Sequence, residues 1–329
     1  MVKPAIHPVR WQPPRVTPLP EPDLQAEVRV VAMPGHAPED VVVDARGNIW
    51  TGVEDGRLIR VSADGTDVRV ITRTGGRPLG LAVARDGRLL ICDSPRGLLR
   101  YDPRTDKLET LVSEVAGRQL TFCSNVVESS NGTIFFTESA AGFSYTYYKG
   151  AALEARGTGA LYRRDTDGKV DVLASGLHFA NGVTLTADES AVVFAESMGC
   201  RLSKYWLTGE RAGLITALTT ELPGYPDNIS TGSDGSIWVT LASARNQLSE
   251  WLSPRPPIFR KLLWQLPYRW MPDPKPIVWV AAFDSDDGHV RQQLRTTHPT
   301  FGLVTGVVET PGRLWLGSIG ASAVGYVDR

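Results

Sequence analysis

The sequence predicts an all-β protein, a six-bladed β-propeller with four antiparallel strands per blade, on three observations. First, the 329 residues hold 32 glycines and 23 prolines, which favours many short strands and tight turns over long helices. Second, one hairpin recurs six times, as VVVDARGNIW, LAVARDGRLL, VVESSNGTIF, VTLTADESAV, ISTGSDGSIW and VVETPGRLWL. Its turn closes on Gly47, Gly87, Gly132, Glu189, Gly235 and Gly312, and three positions later stand Trp50, Leu90, Phe135, Val192, Trp238 and Trp315. Third, each of the first five hairpins is followed by two further strand-like runs, whereas the sixth stops one strand short, after AVGYVDR.

In chain order the outer strands read RLIRVSADG and DVRVIT, GLLRYDPRT and LETLVS, ALYRRDTDG and VDVLAS, RLSKYWLTG and LITALT, then IVWVAAFDSDDG and HVRQQLR. The strand missing from the sixth unit is supplied by AEVRVVAM (Ala26 to Met33), which closes the ring and leaves no free sheet edge. Residues 26–329 are therefore expected to form one propeller domain, preceded by a proline-rich arm over 1–25. Two insertions interrupt the period, at about 139–158 and 243–275. In the second, Phe259, Leu262, Leu263 and Leu266 fall at helical spacing between prolines. That pattern reads as a short helix packed on the propeller; a substrate lid or a membrane-touching patch are the other readings.

Composition narrows the function. With 35 basic against 36 acidic side chains and no long run of like charge, the chain lacks the field that holds a polyanion, so nucleic acid is not an expected partner. No apolar stretch is long enough to span a bilayer, and the first residues lack the apolar core of a signal peptide. Cys92, Cys123 and Cys200 form neither a disulfide framework nor a zinc motif. These features suggest a cytoplasmic protein acting on a small molecule, with its oligomeric state open between monomer and homo-oligomer.

The inner strand of each propeller blade begins beside the central channel, so equivalent residues there converge. Eight positions before the turn residue stand Glu39, Leu79, Ser124, Asn181, Asp227 and Val304; one position later stand Asp40, Gly80, Asn125, Gly182, Asn228 and Thr305. Any single Asp or Asn there could be a turn residue bonding its own backbone. Carboxylates and amides focused on one point, however, are costly without a cation. An all-oxygen set without His or Cys suits a hard ion, Ca2+ before Mg2+. Glu39 and Asp227 would leave that ion net positive and open to a substrate oxygen.

The segments APEDVVVDARGNIWTG, RPLGLAV, SGLHFANGVTLTADES, RLSKYWLTGERAG and LPGYPDNISTGSDGSIWV resemble the strictosidine synthase-like group. That group is part of the wider calcium-dependent propellers with gluconolactonase (regucalcin), paraoxonase and diisopropyl-fluorophosphatase relatives. The resemblance implies a six-bladed propeller, one catalytic calcium in the central channel, and hydrolysis of lactones, esters or phosphotriesters. It carries the metal ligands onto Glu39, Asn181 and Asp227, with Asn228 as a further candidate. In blade three the relatives' Asn coincides with Ser124; Asn125 is taken as the ligand if a bulge brings it inward, and Ser124 or a water fills the gap otherwise.

Two departures shape the expected chemistry. The alkaloid-condensing synthases carry a catalytic Glu where this chain has Thr305, so that condensation is disfavoured. Paraoxonases place a histidine where Leu79 stands. The expected enzyme is then a calcium-dependent hydrolase of lactones or hydrophobic esters in which Asp227 activates water and His178 could shuttle a proton, although an ordinary loop histidine fits equally. Ser124, Leu79 and Thr305 would border the substrate. Phe143 and Tyr145 could line its mouth or could form the core of their own insertion. A phosphotriesterase using the same site and a calcium-braced binding propeller are the alternatives.

Overall fold

A computed structural model describes residues 3–329. Six four-stranded antiparallel sheets follow one another along the chain, one per hairpin unit, and the ring they form is a β-propeller. Their inner strands are Val42–Val43, Arg77–Val83, Cys123–Glu128, Ala180–Leu185, Gly224–Thr231 and Val304–Thr310, in blades one to six. The turn residues of the repeat all have positive φ, 75–85° at the five glycines and 54° at Glu189. That shared left-handed geometry is why glycine fills the position in five copies.

The ring closes as the strand count requires. Arg29–Ala32, within the expected 26–33, pairs antiparallel with Ala323–Asp328 as the outermost strand of blade six. An apolar cluster fills each gap between neighbouring blades. Trp50 packs between blades one and two, Trp238 between five and six, and Trp315 between six and one. The recurring aromatic is thus inter-blade packing. A seventh cluster joins the two insertions and the arm to the ring through Ile6, Leu79, Phe122, Phe143, Trp264 and Met271.

Among the described residues the arm has no regular element before Arg29, and it straps across the insertions and blades four and five. Its backbone N–H groups at Val9, Trp11, Thr17 and Leu24 donate to Glu154, Ser253, Glu221 and Gln293 carbonyls at 2.8–3.1 Å. The first insertion folds into one 3-10 turn and helix α1 (Tyr148–Glu154). The second forms α2 (Gln247–Leu252) and α3 (Ile258–Gln265).

Helix α3 packs on a face other than the apolar stripe. Arg260 and Trp264 are buried, whereas Phe259, Leu262 and Leu266 point to solvent and Leu263 is half-buried. The inward residues satisfy backbone carbonyls of the arm and the insertions: the Arg260 guanidinium donates to Val9, Leu153, Glu154 and Ser253, and the Trp264 indole donates to Pro4 at 2.7 Å. Arg260→Met keeps the stem but leaves the Val9 and Leu153 carbonyls without their donor, while the Glu154 and Ser253 carbonyls keep the N–H groups of Val9 and Trp11. A loss of about 3 kcal/mol is expected, with the arm becoming protease-sensitive before the propeller melts; limited proteolysis alongside thermal melting reads both.

Candidate active site

A recurring bulge builds the site. In blades two to five the inner-strand register breaks across two residues, Leu79–Gly80, Ser124–Asn125, Gly182 with Asn181, and Asp227–Asn228. The alternation of strand faces fails at these positions, so successive side chains serve different surroundings. Glu39, Ser124, Asn181 and Asp227 border a cavity of about 810 Å³. Asp40, Asn125 and Asn228 do not line it and meet one another in the channel.

This second set is a closed network. Asn125 Nδ2 donates to Asp40 Oδ2 at 3.1 Å and to Asn228 Oδ1 at 3.0 Å, while Asn125 Oδ1 accepts from the Val183 N–H at 3.2 Å. Glycine in the even blades makes room for it. A Cβ at Gly80 would stand 2.5 Å from Asn125 Cα, one at Gly182 2.5 Å from the Asp227 carbonyl, and one at Gly306 2.7 Å from Asp40 Cα. Each backbone is also held by its neighbour: Cys92 Sγ donates to the Asn125 carbonyl at 3.3 Å, Thr137 Oγ1 to Asn181 at 2.6 Å, Thr240 Oγ1 to Thr305 at 2.8 Å, and Thr305 Oγ1 to Glu39 at 2.8 Å.

On the cavity side, Ser124 Oγ donates to Asn181 Oδ1 at 3.0 Å and Asn181 Nδ2 donates to Ser197 Oγ at 3.1 Å, orienting the amide oxygen inward. Asp227 Oδ1 is buried without a hydrogen-bond partner. Burial holds the Asp227 carboxyl well above its usual pKa, and nearby Glu39 adds to the shift. Burial likewise raises Glu39 to about 7, against the pull of Arg77, and Asp40 to about 7. Two of these carboxyl groups, Glu39 and Asp227, face the cavity penalised for being charged, one with an orphaned oxygen, and a hard cation would relieve them. The oxygens of Glu39, Ser124, Asn181 and Asp227 fit such an ion.

Arg77, absent from any sequence reading, donates from Nη2 to Glu39 Oε2 at 2.9 Å and lies 4.9 Å from the Tyr145 ring centre. Its Nε and Nη1 have no partner. It fixes one Glu39 oxygen and offsets part of its charge. The only hint in the sequence is an arginine opening an otherwise apolar inner strand.

The other expected site residues fall as follows. In blade three Ser124, rather than Asn125, lines the cavity, and Asn228 shares the Asn125 network, so neither amide faces the cation position. Leu79 is buried in the cluster beneath the insertions, and Phe143 belongs to the same cluster. Thr305 serves the Glu39 carbonyl. Tyr145 does line the cavity, with Tyr148, Phe122, Phe179, Leu263 and Met271. His178 stacks on Trp11 of the arm, 5.1 Å between ring centres, and is not a wall residue; its unpartnered Nδ1 is buried and desolvation lowers its pKa. Blade four holds its backbone through Glu196 and Met198, and the arm covers its ring.

One further cluster of ligand-type side chains, Asp284, Asp287 and His289, sits in a surface turn of blade five. Asp284 is there explained by Arg291 and by the turn's own N–H groups.

Residues 38–248 match the family model described as SMP-30/Gluconolactonase/LRE-like region. Strictosidine synthase-like protein 7 of Arabidopsis thaliana is 35% identical over 233 residues, covering 69% of this chain and 62% of that protein. The chain thus spans somewhat under two thirds of that relative's length. A gluconolactonase from Xanthomonas campestris superposes with a TM-score of 0.68 at 18% identity over 99% of both chains. Regucalcin from Agrobacterium tumefaciens, described as a calcium-binding protein, gives 0.62 at 17% identity over 92% of this chain and 93% of its own. The repeat and the ring closure agree with the fold of these structures, and with the family model matched over residues 38–248 the chain belongs to the SMP-30/gluconolactonase/LRE-like family.

Proposed function

We propose that the protein is a calcium-dependent hydrolase of lactones or hydrophobic carboxylic esters. The observation that carries this reading is the unpartnered, buried Asp227 oxygen at the foot of a largely apolar cavity, beside Glu39, Ser124 and Asn181. A divalent ion bound by these four residues would polarise the carbonyl oxygen of the substrate and offset the charge that develops on it. Calcium is favoured over magnesium because the donors are all oxygens on bulged strands, which suit loose coordination. The regucalcin likeness is consistent with that choice.

The protein's own groups do the rest. Asp227 accepts a proton from a water held beside the ion; the cation at Glu39 and Asp227 offsets the burial that otherwise keeps this carboxyl protonated, so the ionised base is available. Asn181, held by Ser124 and Ser197, keeps its oxygen toward the reacting centre. Tyr145 stays a neutral phenol, because burial and the Glu39 charge raise its pKa. The aromatic walls take the apolar part of the substrate and exclude bulk water. Thr305 puts a hydroxyl, already donated to the Glu39 carbonyl, where an amine–aldehyde condensation would need a carboxylate.

The deciding experiment is a panel of lactones, aryl esters and one phosphotriester, assayed after chelator stripping and again after calcium is restored. Calcium-dependent turnover of a lactone or ester is the expected result. Turnover of the phosphotriester alone would move the reaction to phosphorus, and tight calcium binding without any turnover would make the ion a brace.

A further inference from the structure

The blade-five insertion carries an apolar surface that nothing in the protein covers. Trp251, Ile258, Phe259, Leu262, Leu266 and Trp270 are 41–64% exposed. Half of the large hydrophobic side chains that the described residues expose, with both exposed tryptophans, lie within residues 248–270. Elsewhere such exposure is scattered, as is ordinary; a concentrated patch marks an interaction surface. Helix α3 is inverted to make it, with Arg260 and Trp264 turned into the protein and Phe259, Leu262 and Leu266 turned out.

Charge indicates the occupant. Of the six basic side chains in residues 244–275, Arg260 is buried and Arg245 is paired with Glu250 beneath the surface, which leaves Arg255, Lys261, Arg269 and Lys275 on the face of a chain whose net charge is −1. Lys261, Arg269 and Lys275 are exposed among the apolar residues, and Arg255 lies over Trp251 at 3.5 Å from its ring centre. A second copy of the chain would bring the same positive patch against itself, like charge facing like across a two-fold. Exposed tryptophan together with leucine, isoleucine and phenylalanine, with lysine and arginine among them, is instead the chemistry of the bilayer interface, and the cations select an anionic leaflet. No helix among the described residues is long and apolar enough to cross a membrane, so the contact would be on the surface.

We infer that α2, α3 and the turn after them dock on an anionic lipid surface. Leu248, Leu263 and Met271 belong to this insertion and also line the cavity, so docking brings the cavity mouth to the lipid. The inference stands apart from the proposed hydrolysis, because vesicle binding is read without turnover.

The test is co-sedimentation of the full chain with vesicles of phosphatidylcholine alone or of an equal mixture with phosphatidylglycerol. Binding to the mixed vesicles, weakened by salt, is expected. Phe259→Glu with Leu262→Glu should lower it at least about tenfold, and Lys261→Glu with Arg269→Glu should lower it while the melting temperature holds. Absence of binding, or binding that both pairs of substitutions leave unchanged, would overturn the inference. So would a dimer in sedimentation velocity that the Phe259/Leu262 pair dissociates while vesicles go unbound, since the face would then belong to self-association.

Discussion

Asp227→Asn is expected to lower ester or lactone turnover by about 10²–10⁴-fold at saturating calcium, with the fold retained. The amide matches the carboxylate in shape, so neither the bulge at Asp227–Asn228 nor the packing of the Asp227 carbonyl against Gly182 is disturbed. It cannot take a proton at Oδ1, the atom that lacks a partner in the folded protein. It also removes one charge from the cation position, so calcium affinity should fall, and a full titration with calcium separates that effect from the loss of the base. Turnover unchanged at saturation would remove Asp227 from proton transfer and leave it a ligand alone.

The metal-free protein is expected to lose stability as pH rises from about 4.5 to about 7, the reverse of an ordinary salt-bridged acid. Glu39 ionises near 4.5 when unfolded and near 7 when folded, because burial penalises its charge more than Arg77 favours it; Asp40 moves from 3.8 to about 7 for the same reason of burial. Both folded pKa values are raised, so the folded state holds these protons longer. The stability they contribute is complete below the unfolded pKa values and is gone once pH passes about 7, a change on the order of 3 to 4 kcal/mol for each group. A cation at Glu39 and Asp227 favours the ionised forms, so added calcium should raise the melting temperature more at pH 8 than at pH 5 and release protons on binding. Melting curves of chelator-stripped protein across that range test both statements; a melting temperature that rises with pH would contradict the burial argument.

These two expectations rest on residues whose positions the repeat made legible. A hairpin needing positive φ at one turn residue repeats glycine there, and counting back from it locates every inner-strand start. Glu39, Asn181 and Asp227 were found in this way, as were the inter-blade tryptophans and the closing strand. Periodicity reports them because each blade solves the same packing problem with the same residue types.

What it could not report is direction. Within the bulge, Ser124 and Asn125 are adjacent in sequence yet serve different surroundings, since a bulge suspends the alternation from which facing is read. Only the hydrogen bonds of Asn125 to Asp40 and Asn228, reaching across 85 and 103 positions, commit it to the channel and leave Ser124 on the cavity wall. Arg77 reaches Glu39 across 38 positions, and the arm covers His178 with Trp11. The stripe of α3 follows the same rule: its spacing was visible, but the carbonyls gathered around Arg260 decided which face turned inward. The sequence by itself determined the six blades, their closure and the oxygen-rich lip, because these follow from local backbone preference repeated along the chain. The tertiary structure alone decided which lip side chains meet the cavity and which surface stays uncovered, because those choices are made by hydrogen-bond partners far apart in the chain.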